Sequence, residues 1–208
     1  NVPHGHRLAQ AIEPLLNGAA RYQPEPDPIR IVVLACLDFQ MRGTAVEKSL
    51  DHFYRQASAK LGTSDLASLR GYLQGTPSDE VAAVALWGTR YWTRAALLRQ
   101  LVAFFLQMCG GAEPEIDAMR RWGREAQFKR DFQGKIKGLG YNTFVRMAQQ
   151  LGADTAAPTG WTCHFVADAL GKTPRDGCLV DVLNGAADLL KLPRADVDWA
   201  IRRHQGHP

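Results

Sequence analysis

Lys137-Gly138-Leu139-Gly140 sets two glycines one residue apart, directly before Tyr141-Asn142-Thr143 and an apolar helical stripe of Phe144, Val145, Ala148 and Leu151. Glycines let a chain turn sharply and let another backbone approach, and the helix that follows opens with unpaired N–H groups at the positive end of its dipole. A corner of this kind can hold phosphate oxygens. The charge is concentrated beside it: between residues 120 and 137, Arg120, Arg121, Arg124, Lys129, Arg130, Lys135 and Lys137 stand against only Glu125 and Asp131. The whole chain carries a net +4, so the remainder is close to neutral. Read alone, such a run is a solvated helix face; read with the corner, it points to a polyanionic partner.

Other chemistry is weaker. Cys36, Cys109, Cys163 and Cys178 lie far apart and lack the close spacing of a zinc site or an iron–sulfur loop. Reduced thiols in a cytoplasmic or nucleoid-associated protein, with no structural metal, are the expectation. Cys163-His164 invites a nucleophile-and-base reading, but neighbours on a helix point about 100° apart. Asp181, Asp188, Asp196 and Asp198 are scattered among apolar helix positions and read as capping or solvated acids. Even the apolar stretch from Ala95 to Met108 is broken by Arg99, Gln100 and Gln107, far short of a spanning helix, so no membrane partner is expected. The first residues show no basic leader followed by an apolar run.

The elements that must position these residues are helical nearly throughout the 208 residues. Val46, Leu50, Phe53, Tyr54 and Ala57 recur at three- and four-residue spacing, and Leu97, Leu98, Leu101, Val102, Phe104 and Phe105 form a denser, central helix. Further helices are predicted near 5–20, 28–38, 64–74, 78–87, 114–122, 125–136, 142–151, 161–170, 176–190 and 195–204. Ile31-Val32-Val33-Leu34 is the one strand-like run; lacking a partner strand, it reads as helix. An all-α fold follows, 46% apolar and long enough for one sizeable core or two small ones.

Ile136-Lys137-Gly138-Leu139-Gly140-Tyr141-Asn142-Thr143 resembles the helix-hairpin-helix of the endonuclease III-type DNA glycosylase superfamily. Gln40-Met41-Arg42-Gly43-Thr44-Ala45-Val46-Glu47-Lys48 is similar to that family's early helix-turn segment, and Leu86-Trp87-Gly88-Thr89-Arg90 to the stretch leading into its next helix. In this order the matches cover roughly residues 30–170. The resemblance implies two helical lobes flanking a DNA-binding cleft, near 30–135 and 1–29 plus 136–208. It also implies DNA contacts from Gln40, Arg42, Lys135, Lys137, Gly138, Leu139, Gly140, Asn142 and Thr143. Gln40 would fill the gap left by a flipped nucleotide, and the base would enter a pocket drawn from Trp87, Tyr91, Trp161 and His164. The family's hairpin carbonyls can hold a monovalent cation; the iron–sulfur loop of some relatives is missing here, since no cysteine follows Cys178.

Two departures touch the chemistry. Backbone-cleaving relatives carry a lysine after the glycine corner, where this chain has Asn142, which is no amine nucleophile. The family's aspartate after the second hairpin helix, which stabilises charge on the deoxyribose, falls at Thr159. Three explanations stay open: Asp154 or Asp168 supplies the carboxylate by another loop course; Thr159, Thr162 or His164 holds the water; or catalysis is lost. The expectation is a monofunctional DNA glycosylase that flips a base in duplex DNA and hydrolyses its N-glycosidic bond, or else a catalytically silent protein that binds damaged or modified DNA. Oligomerisation is not predicted.

Overall fold

The computed structural model describes residues 2–38, 43–111, 113–157, 159–172 and 178–205. Among them the regular structure is helical and no strand occurs. The α-helices run α1 Val2–Ile12, α2 Pro28–Leu37, α3 Gly43–His52, α4 Ser58–Leu61, α5 Leu66–Gly75, α6 Asp79–Trp87, α7 Trp92–Cys109, α8 Glu115–Glu125, α9 Tyr141–Gln150, α10 Gly160–Leu170, α11 Cys178–Leu190 and α12 Arg194–His204. No described helix is long and apolar enough to cross a membrane.

Local chemistry sets several ends. Asp27 accepts from the Ile29 N–H at the start of α2, where Pro28 needs no donor. Asp65 and Ser68 exchange hydrogen bonds in a capping box that opens α5. Gly88 and Gly171 close α6 and α10 in the left-handed region, at φ 66° and 70°. The Ile31–Leu34 run is helix, as expected, and it is buried along nearly its whole surface. The segment expected as one helix from 5 to 20 stops at Ile12 and continues only as a 3-10 turn, Glu13–Leu16, because Pro14 sits where the helix would need a donor.

The chain divides into two compact units, Asn1–Pro24 with Ala148–Pro208, and Glu25–Met147. The core of the first is built from Leu8 and Ile12 of α1, Val166 and Leu170 of α10, Leu183 and Ala187 of α11, and Val197 and Ile201 of α12. Each fully buried leucine or isoleucine there is worth about 1.5–3 kcal/mol of transfer free energy. In the second unit α7 is central, as its density of apolar residues predicts, and packs against α2, α5, α6 and α8. An aromatic cluster extends from it, with Trp122 touching Phe104, Phe105, Phe132 and Phe144, and Phe132 touching Phe104 and Phe144, at centroid distances of 5.2–6.1 Å, mostly edge to face.

Candidate nucleic-acid interface

The glycine corner hangs from this aromatic cluster. Where a helix over 125–136 is expected, the chain instead leaves α8 at Glu125, makes a single π turn at Phe128–Phe132, and passes through successive turns to α9. The Gln133 N–H donates to the Phe128 carbonyl at 2.7 Å, five residues back. Gly134 and Gly138, at φ 75° and 100°, end any regular continuation. Asp131 locks the start of the turn by accepting from the Gln127 N–H at 2.7 Å and from both arms of Arg130 at 2.7 Å. Arg130 and then that N–H hold its carboxyl below the usual range. The apolar spacing is satisfied all the same: Phe132, Ile136 and Leu139 are buried, and the Phe128 and Tyr141 rings meet at 5.4 Å.

On this footing the backbone from Lys137 to Gly140 lies at the surface, with Lys135, Lys137, Gly138, Gly140 and Asn142 exposed and Thr143 half-buried. Leu139 turns its side chain into the core, so it has only its backbone to offer a ligand. The Gly140 carbonyl accepts the first bond of α9 from the Phe144 N–H at 3.1 Å. The earlier N–H groups, from Tyr141 to Thr143, have no carbonyl of their own helix to reach. Only Gly138 needs to be glycine for its conformation; a Cβ on Gly140 would meet open space.

The cationic run is smaller than its sequence count. Arg121 pairs with Glu113 and Arg120 lies 3.8 Å from Asp117, acids just outside the window, and Arg130 is held by Asp131 within it. Arg124, Lys129, Lys135 and Lys137 are exposed and have no ion-pair partner among the described residues. Of these four, Lys135 and Lys137 adjoin the corner along the chain. Gln40 and Arg42 lie outside the described residues.

Trp87 is a core residue, 1% exposed and packed against Phe53 at 6.1 Å, and offers no free face for a base to stack on. Tyr91 is partly exposed, with the Arg94 guanidinium 5.4 Å from its ring centroid. Both belong to the second unit. In the first, Trp161 and His164 are exposed on α10, as is Asp168. Asp154, also exposed, accepts from the Ala195 N–H at 3.2 Å and so serves the start of α12. Thr159 is the N-cap of α10 and shares a capping box with Thr162.

The residue missed by sequence reasoning is Asp198. Expected as a solvated or capping acid, it is fully buried. Its carboxylate accepts from Gln149 Nε2 at 2.9 Å, the Ala157 N–H at 3.3 Å and Thr162 Oγ1 at 3.4 Å, and forms an ion pair with Arg202 Nη2 at 3.0 Å. Thr162 Oγ1 lies 3.2 Å from Thr159 Oγ1. With the Thr162 proton directed at Asp198, the Thr159 proton is directed at Thr162, and half-buried Thr159 keeps a lone pair outward. A buried carboxylate thus stands two hydroxyls behind the place where the sequence shows only threonine. The one sequence signal was the i,i+4 spacing of Asp198 and Arg202 on a helix. Asp196, also expected to cap or to be solvated, instead ties a distant loop to α12 by accepting from the Tyr22 N–H at 2.7 Å, and Asp188 pairs with Arg194 at 3.1 Å. Cys36, Cys109 and Cys178 are free thiols, and no group of three potential metal ligands occurs among the described residues. Compared with known protein families, curated proteins and solved structures, the chain matches none.

Proposed function

We propose that the chain binds duplex DNA through the Lys137–Tyr141 corner and acts as a monofunctional DNA N-glycosylase. The observation that carries the reading is the exposed glycine corner at the start of α9, with exposed Lys135 and Lys137 beside it in the chain. Backbone N–H groups and lysines of this kind grip phosphates and position the protein without selecting a base. In the first unit, exposed Trp161 and His164 on α10 are the rings left to meet an everted base.

For hydrolysis, Thr159 would hold the attacking water on its outward lone pair. Asp198, acting through Thr162, fixes the hydroxyl protons so that this lone pair stays available. Asn142 supplies no amine, so no Schiff base forms and the product is an abasic site with an intact strand. Duplexes carrying a panel of modified bases, incubated with the protein and then treated with alkali, test this. Breaks at one substrate only after alkali are expected; breaks without alkali contradict the monofunctional mechanism.

A second reading, a silent binder of modified or damaged DNA, is favoured by the engagement of the Thr159 hydroxyl in a helix cap. Aspartate caps as well as threonine, so Thr159→Asp keeps α10 intact while installing a carboxylate. Strand breaks from this variant and none from the parent would establish the second reading.

A further inference from the structure

Within the first unit, the 3-10 turn Glu13–Leu16, the loop after it and the last turn of α12 enclose a cavity of about 250 Å³. Leu15, Ala19 and Ala200 supply its apolar lining; Asn17, Arg203 and His204 supply its polar lining. Ala200, Arg203 and His204 stand three and four residues apart, so they share one face of α12. Ala200 is buried, and α12 packs against the 3-10 turn. The same face then runs on to Arg203 and His204, which are exposed. The His204 ring is held edge to face against Phe165, with 6.1 Å between centroids.

Asn17, Arg203 and His204 are all within reach of a ligand entering from solvent, and none of them has a hydrogen-bond or ion-pair partner among the described residues. No acid belongs to the lining. A guanidinium fork matches a carboxylate with two parallel N–H bonds, and an imidazole and an amide each bring a further N–H. The set is therefore suited to an anion. Its size and charge narrow the choice: the cavity is smaller than the about 300–1,000 Å³ of pockets that take drug-sized ligands, and Arg203 is the one permanent cation on its lining. The free carbonyls and the negative dipole end of α12 also lie at this turn, which penalises a dianion more than a monoanion.

We infer that this cavity binds a small monocarboxylate, with the carboxylate on the Arg203 fork and a short hydrocarbon chain against Leu15, Ala19 and Ala200. A phosphate monoester, with two charges and no apolar part, fits the same lining less well. This site stands apart from the base-excision reading and survives its failure.

Titration of the ¹⁵N-labelled full chain with sodium butyrate, against sodium chloride at equal ionic strength, tests it. Saturable shifts of the Ala19 amide and the His204 ring resonances are expected at millimolar butyrate. Affinity should rise from acetate to butyrate by up to about fourfold per methylene, as burial of a CH₂ group predicts. Arg203→Gln should weaken butyrate binding about tenfold, the loss of roughly one charge-assisted contact. Its melting temperature should match the parent's, since Arg203 has no ion pair to lose among the described residues. Resonances indifferent to butyrate, or moved equally by chloride, overturn the proposal, as does undiminished affinity in Arg203→Gln. Inorganic phosphate binding as tightly as butyrate, or acetate as tightly as butyrate, overturns the assignment of a monocarboxylate with an apolar chain.

Discussion

At Asp198 a carboxylate with no exposure accepts three hydrogen bonds and pairs with Arg202, yet burial still pushes its carboxyl above the usual range, against the pull of Arg202 and of the Gln149, Ala157 and Thr162 donors. An acid whose folded pKa exceeds its unfolded value, about 3.9, binds its proton more tightly when folded. Its contribution to stability is complete below the unfolded pKa and is lost as pH rises through the folded one. The parent should therefore lose stability relative to Asp198→Asn as pH rises from the acid range toward neutrality. Urea denaturation of both proteins across that range measures the difference; a gap independent of pH contradicts the account. Nothing local to Asp198 marks it out, since Gln149 lies 49 residues away and Ala157 41.

At the scale of the element, the corner before α9 makes a division of labour between two glycines. Gly138 holds φ 100°, so Gly138→Ala should cost about 1–3 kcal/mol of stability. Gly140 needs neither a positive φ nor space, so Gly140→Ala should leave the melting temperature unchanged while weakening duplex binding, because the added methyl stands where a phosphate would approach. Thermal melts paired with fluorescence-anisotropy titrations separate the two effects, and equal DNA affinity of Gly140→Ala and parent would remove the corner from the interface. The presence of the turn was legible in the glycines. The missing helix before it was not: Phe128, Phe132 and Ile136 have the four-residue spacing of a helical stripe, and a π turn followed by loose turns buries Phe132 and Ile136 equally well.

Over the whole molecule the net charge of +4 understates the cations available to a partner and the local run overstates them. Glu113 and Asp117 neutralise arginines from positions just ahead of the run, leaving Arg124, Lys129, Lys135 and Lys137 without acidic partners among the described residues. Reversing Lys129, Lys135 and Lys137 to glutamate should lower DNA affinity across all sequences alike and flatten the log–log salt dependence by roughly two to three units. The melting temperature should hold, as these side chains make no ion pair to lose. Binding isotherms at several salt concentrations provide the check; an unchanged slope would place the DNA contacts elsewhere. The chain by itself determined the helical class, most helix spans and the glycine corner, because helical periodicity and turn chemistry act over a few neighbouring residues. Acids one to eight residues away settle which arginines are neutralised; tertiary structure alone decided that Trp87 is core and that a carboxylate stands behind Thr159. Burial at both places is settled by side chains tens of residues apart, Phe53 against Trp87 and Gln149 against Asp198, whose meeting no local pattern encodes.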